Sequence, residues 1–308
     1  KAGMAPSYGC GNGNCGLCKA RVVSGEVRQV GHYDYPLSAA EKAQNYTLLC
    51  SHTAVTDVVI EALEAASPAD IPDQQLVARV KRVVALDERT QLLHLQTPRS
   101  QRLRFFAGQS VALGVAGGTA DFGGDYPLAS CPCDDRNLLF HIPRCAAEAG
   151  DGGDEFAQRL FAGAVREGDP INVRGPFGDF VLLKDSPRSI LFACCDMGFA
   201  PVNSLIEHAL SVDAAASLAL AWVTTRAAGH YAANQCRAWA ESLDDFHYWP
   251  REAPDAVAAA AALLDAAGQL PDLIERDIYV AGPPQFVAAA VAGLVARGVP
   301  PAQIRRAS

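Results

Sequence analysis

Three cysteines within nine residues constrain this chain more than any other feature. In the run YGCGNGNCGLCKARV, Cys10, Cys15 and Cys18 are spaced Cys-x4-Cys-x2-Cys, and Cys50 lies further along. Four thiolates hold a [2Fe–2S] cluster at this spacing, so Cys10, Cys15, Cys18 and Cys50 are the expected metal ligands. A loop wrapped around two irons turns amide N–H groups toward the sulfurs. Gly9, Gly11, Gly13 and Gly16 permit the backbone angles and close approach this needs. Zinc fits less well, because it takes a second Cys-x2-Cys and Cys131-x-Cys133 is not one. Cys50-x-His52 is half of a mixed His/Cys cluster pattern whose other half, Cys-x2-His, is absent. His52 therefore reads as an ordinary surface histidine.

Composition narrows the rest. At 308 residues the chain has room for two or three domains, and with half its residues hydrophobic and 19% charged it can bury real cores. A net charge of −8 argues against nucleic acid, which needs a basic face. No run of about 18 apolar residues appears, so no membrane span is expected. Ten cysteines are too few for a disulfide scaffold at this length, and a reducing cytoplasm suits them best. The chain starts at Lys1 without an initiator Met or a signal-peptide pattern and stops at Ser308, so both ends read as cut.

Three segments follow from pattern. Residues 1–67 hold the cysteine loop and close on the strand-like TDVVIEALEA. SPADIPDQQ, polar and proline-bearing, reads as a linker. Across 74–183, short apolar runs (LVARVKRVVAL, LLHLQTP, SVALGV, NLLFHIP, DPINVRGPFGDFVL) alternate with turn signals, which predicts an antiparallel barrel. Across 187–308, strands (SILFACC, SLALAWVTT, DIYVAG) alternate with helices (APVNSLIEHAL, NQCRAWAESL, PQFVAAAVAGLVARG), which predicts a parallel sheet. The Ala-rich DAVAAAAALLDAAG is a good helix. Cys194 and Cys195 face opposite sides of a buried strand and read as packing.

The cysteine loop resembles the plant-type ferredoxin domain, a β-grasp fold. In that family a hairpin precedes the first cysteine, and only nine residues precede Cys10 here, so the fold is expected to be N-terminally incomplete. With a barrel and a Rossmann-like α/β nucleotide domain behind it, the whole chain resembles the three-domain members of the ferredoxin–NADP reductase superfamily. These serve bacterial oxygenases and CDP-6-deoxyglucoseen reduction. The resemblance implies FAD on the barrel. The family's R-x-Y-[ST]-x-x-S strand matches GDYPLAS, with Tyr126 against the flavin ring and Ser130 near its reactive nitrogen as catalytic candidates. Pro127 and Leu128 lie between them, and Gly124 stands where the family has its phosphate-binding Arg. Upstream, FFAGQSV matches the family's F-x-x-G-Q strand. His141 and Arg144 of HIPR, and Gly153 and Phe156 of GDEF, are further flavin candidates, Arg144 as a substitute for the missing cation.

For NADH the family's G-G-T-G-x-x-P loop aligns with CDMGFAP, keeping Gly198, Ala200 and Pro201 but placing Cys195, Asp196 and Met197 at the first three positions. A carboxylate about 4 Å from a phosphate costs about 4 kcal/mol at an intermediate dielectric, so Asp196 is expected to oppose the dinucleotide unless it points away. Arg226 of WVTTR aligns with a nucleotide-contacting Arg. Gly282, Pro283, Pro284 and Phe286 keep the family's C-G-P-x-x-[MF] run, with Ala281 for its Cys. RAAGH lacks the extra cations a 2′-phosphate needs, which favours NADH over NADPH. The resemblance implies a redox-protein partner, an oxygenase component or a larger complex. Three readings stay open: a working NADH-dependent reductase, an electron-relay subunit that does not oxidise NAD(P)H, and a deoxysugar reductase.

Overall fold

The computed structural model describes residues 6, 11–14, 16–62, 65–98, 101–115, 122–144 and 154–307. After the cysteine loop come β1 (Lys19–Ser24), β2 (Val27–Gln29), α1 (Ala39–Ala43), β3 (Tyr46–Leu48), β4 (His52–Ala54) and β5 (Val59–Ala62). β1 is the centre of an antiparallel sheet with β3 and β5, and β2 pairs with β4. The core here is small: Cys18, Leu37 and Leu48, with Tyr33, Tyr35 and Tyr46 packed against them. Five residues of helix persist in α1 because Ser38 and Glu41 form a capping box. Glu41 also pairs with Lys19, which ties α1 to β1. The expected linker holds a turn at Pro68–Asp70, where Asp70 accepts from the backbone N–H of Ala66 and Ser67.

Next come β6 (Gln74–Asp87), β7 (Thr90–Gln96), β8 (Ser110–Val115), β9 (Asp125–Pro127), β10 (Asn137–Pro143), α2 (Glu155–Phe161) and β11 (Pro170–Phe177). They form an antiparallel sheet in the order β10-β7-β6-β11-β8-β9. Leu76, Ala78 and Val80 point inward at period two along β6, as a half-buried strand requires. The two edges meet: the Ala129 N–H donates to the Leu139 carbonyl at 2.8 Å, and the Leu139 N–H donates to Ser130 Oγ at 3.1 Å. This seam brings the Tyr126–Ser130 stretch beside His141.

The remainder is β12 (Ile190–Cys195), α3 (Phe199–Val212), β13 (Leu218–Thr224), α4 (Ala233–Ser242), β14 (Phe246–Glu252), α5 (Ala256–Ala267), β15 (Asp277–Ala281), α6 (Pro284–Ala296) and β16 (Ile304–Arg306). The sheet is parallel, ordered β14-β13-β12-β15-β16. Helices cover both faces, so β12 is buried along its whole length. Its side chains alternate between two cores. Cys195 packs with α5 and α6, and Cys194 packs with α3. Burial raises both thiols' pKa values, which keeps them protonated.

β14 and β16 were not expected. β14 contains Pro250, which argues against a central strand but is tolerated on an edge, and β16 is three residues long. Helix α3 joins the last two sheets. Asn203 Nδ2 donates to the Ala129 carbonyl at 2.5 Å and Ser204 Oγ to the Ser130 carbonyl at 2.6 Å. Among the described residues no helix is long and apolar enough to cross a membrane.

Candidate functional site

The expected metal centre is described at two of its four ligands. Cys10 and Cys15, with Gly9, lie outside the described residues. Cys18 and Cys50 come together from the residue before β1 and the turn after β3, their sulfurs 3.2 Å apart. Two thiolates this close repel by about 5 kcal/mol at an effective dielectric near 20. A bound cation removes that penalty, so the donor set fits iron. The loop takes its shape from glycine: Gly13 and Gly16 have φ of +85° and +72°. An added Cβ would strike Tyr33 at Gly13 and Tyr35 at Gly16. His52 is half-buried rather than on the surface. Its Nδ1 lies 3.1 Å from the Leu48 carbonyl, and its ring packs 5.9 Å from that of Tyr33. Arg102 was missed by motif reading. Its guanidinium stands 4.0 Å from where a Gly11 side chain would begin, which puts the cysteine loop beside the six-stranded sheet.

The flavin candidates cluster along the β9–β10 seam. Tyr126 is buried, its ring 5.6 Å from Phe156 of α2, and its hydroxyl is bound by Asp154. Leu128 and Ser130 are buried and Pro127 is half-buried. The Ser130 hydroxyl takes the Leu139 N–H, so it helps to close the seam. Arg144 lays its guanidinium 4.9 Å over the Phe161 ring at the far end of α2. Gly153 lies outside the described residues. Sequence reading missed Asp154. It caps α2, its Oδ1 accepting from the Ala157 N–H at 3.0 Å, and an added Cβ on Gly124 would stand 3.3 Å from its Oδ2. The start of α2, where the resemblance expects a flavin phosphate, thus carries the chain's own carboxylate. An acidic residue just ahead of EFAQRL is the capping signal that would have found it.

His141 is buried where the six-stranded sheet meets the parallel one. Its Nδ1 lies 3.2 Å from the Tyr231 hydroxyl, and its ring stacks on Phe199, which stacks at 4.0 Å on Trp222. Burial pushes its pKa down from 6.5 to about 4. The unfolded chain therefore takes up a proton between these values that the folded chain refuses. Stability is complete above pH 6.5 and falls toward pH 4, by up to about 1.4 kcal/mol per pH unit for one such group. Urea midpoints measured from pH 7 to pH 4.5 are expected to fall less steeply in His141→Phe than in the parent. Equal slopes would show that His141 is not the group responsible.

The nucleotide candidates meet at the carboxyl ends of β12, β13 and β15. Gly198 begins α3, with its backbone against Ala281 and Gly282. Gly282 has φ +150°, and Pro201 and Phe286 are buried in the first turns of α3 and α6. Pro283 caps α6. Asp196 turns away from α3. It holds a left-handed φ of +48°, tolerated by Asp. Its Oδ1 accepts from the Thr225 N–H at 2.8 Å, and its Oδ2 accepts from Thr225 Oγ1 at 2.6 Å. Arg226 is already engaged: its Nη2 lies 3.0 and 2.8 Å from the two oxygens of Asp87, at the end of β6. Its guanidinium also covers the Tyr231 ring at 5.6 Å. It therefore pins the parallel sheet to the antiparallel one.

Asp196→Asn keeps an acceptor for the Thr225 N–H and removes the charge. Because the carboxylate is turned to Thr225, the KM for NADH is expected to stay near the parent value. A fall of about tenfold in a ferricyanide-coupled assay would show that the carboxylate's field still reaches the dinucleotide.

Comparison with known proteins supplies the context. The family model described as "2Fe-2S iron-sulfur cluster binding domain" matches residues 1–55. The chain is 30% identical to the reductase subunit of an aromatic O-demethylase from Amycolatopsis sp., covering 99% of this chain and 90% of that protein. It is 25% identical to the reductase component of a propane 2-monooxygenase from Rhodococcus jostii, covering 99% and 83%. Among solved structures, an Amycolatopsis cytochrome P450 reductase superposes with a TM-score of 0.64 at 27% identity, covering 99% and 90%.

Proposed function

The chain belongs to the ferredoxin-reductase-type oxidoreductases whose members are reductase components of bacterial oxygenases, and from that premise we propose that it passes electrons from NADH through FAD and a [2Fe–2S] cluster to an oxygenase-type protein. The observation that carries this reading is the Cys18–Cys50 sulfur pair, in a chain similar over 99% of its length to an O-demethylase reductase subunit. We read residues 1–67 as a β-grasp ferredoxin domain, 74–183 as a closed flavin barrel and 187–308 as a Rossmann-like nucleotide domain. The Leu139 seam across β9 and β10 supports the closed barrel.

The chain's own residues divide the work. Tyr126, Pro127 and Leu128 offer an aromatic and apolar surface beside neutral His141, which fits a flavin ring, and Arg144 is the cation for its phosphate end. Asp154 departs from the family there by holding the start of α2. The chemistry FAD supplies when bound is the division of a two-electron hydride into single electrons. Gly198 and Gly282 let the backbone approach a dinucleotide, and Arg226 holds the two sheets at a fixed distance through Asp87. Cys18 and Cys50, with Cys10 and Cys15, would hold the cluster, and the Gly11–Gly16 loop faces the redox partner.

The test is an anaerobic titration of the holoprotein with NADH, followed in the visible spectrum. Loss of flavin and then cluster absorbance is expected. A spectrum unmoved by NADH but bleached by dithionite would overturn NADH as the donor.

A further inference from the structure

Cys131 and Cys133 are joined by a disulfide across the turn Pro132–Asp134, and the electron path above does not use it. In a reducing compartment a disulfide is usually transient, catalytic or redox-sensing rather than a structural brace. The two sulfurs have unlike surroundings. Cys133 is exposed, and Cys131 is buried against α3. The Cys131 Sγ lies 3.8 Å from His208 Nδ1 and 3.7 Å from Ser211 Oγ, and the Cys133 N–H points at it from 3.1 Å. The Cys131 N–H donates to Glu207 Oε2 at 3.0 Å. One sulfur is therefore open to attack, and the other has His208, Ser211 and the Cys133 N–H placed to stabilise it as it leaves.

We propose that Cys131–Cys133 is a thiol–disulfide exchange site for small thiols, with Cys133 the attacked sulfur and Cys131 the leaving sulfur. A thiolate bonds to Cys133 Sγ and the Cys131–Cys133 bond breaks. The electron pair stays on Cys131, which takes up the proton the thiol gave up. A second thiolate attacks the mixed disulfide and releases Cys133, which is protonated in turn. The chain gains two electrons and two protons, and two thiols become one disulfide. Burial keeps the Cys194, Cys195 and Cys236 thiols protonated and out of this exchange. The site has a structural consequence. Cys131 continues the stretch whose Ala129 and Ser130 carbonyls hold Asn203 and Ser204, so exchange occurs where α3 docks on the antiparallel sheet.

The experiment equilibrates native holoprotein in glutathione buffers of graded thiol-to-disulfide ratio, quenches with acid, alkylates and digests with trypsin. The peptide Phe105–Arg136 contains Cys131 and Cys133 and no other cysteine. It is expected to pass from no alkyl groups to two as the ratio rises, and to return on reoxidation. His208→Gln is expected to slow reduction by about 100-fold, the low side of what a positioned hydrogen-bonding acid–base group contributes, while leaving the midpoint ratio in place. Three results overturn the proposal: reduction only after denaturation, two free thiols at every ratio, or reduced thiols that resist alkylation until a chelator is added. An unchanged rate in His208→Gln overturns the choice of Cys131 as leaving sulfur.

Discussion

Cys18→Ser abolishes the [2Fe–2S] absorption and lowers electron delivery to a one-electron protein acceptor by about 100-fold or more, while NADH-dependent ferricyanide reduction persists. Changing a residue that only orients a metal ligand typically costs 10–100-fold in affinity or activity. Removing a ligand starts from the top of that range. Cys18 is nearly fully buried, and its carbonyl also accepts the Leu49 N–H at 3.1 Å, next to Cys50. Serine preserves that backbone bond and the side-chain volume, so the change isolates the sulfur. The measurement pairs the visible spectrum with cytochrome c and ferricyanide rates. Parallel loss of both rates would mean that the domain had unfolded. Retention of both would remove Cys18 from the path.

Gly198→Val is expected to destabilise the C-terminal sheet and to eliminate saturable NADH use. A Cβ at this position would collide with the Ala281 carbonyl and stand 2.6 Å from the Gly282 nitrogen. These are backbone atoms of the β15–α6 junction, which no rotamer change can clear. Overpacking costs about 1–3 kcal/mol when side chains can shift, so the upper end is expected here. The contact also sets the opening between the start of α3 and the start of α6, where a dinucleotide would approach. A melting curve and a KM for NADH, both against the parent, decide it. A variant with parental melting and parental KM would show that the two loops do not meet as described. The cluster absorption is expected to stay intact, because the cysteine loop belongs to a separate small core.

Much of this molecule was legible in one dimension because its signals are local. The cysteine spacing pointed to a [2Fe–2S] cluster without any fold, since a cluster of fixed size dictates how far apart its thiolates stand along a tight loop, and the family model for such a domain matches residues 1–55. Period-two runs predicted the antiparallel strands, and strand–helix alternation predicted the parallel sheet. Opposite facing of Cys194 and Cys195 followed from strand geometry alone, and their side chains do lie in separate cores. The residues that tune the site were not legible. Asp87 and Arg226 sit in different segments, and Asp154 reaches Tyr126 only because α2 packs on β8 and β9. Asp196 looked like a charge aimed at a phosphate until the left-handed turn carried it to Thr225. Cys131 looked unremarkable until α3 brought His208 beside it. Each of these contacts joins segments whose approach is set by how sheets and helices stack. The chain by itself determined most of the elements that form and offered four sulfurs as candidates for iron. Only the tertiary structure decided where the charges around them point.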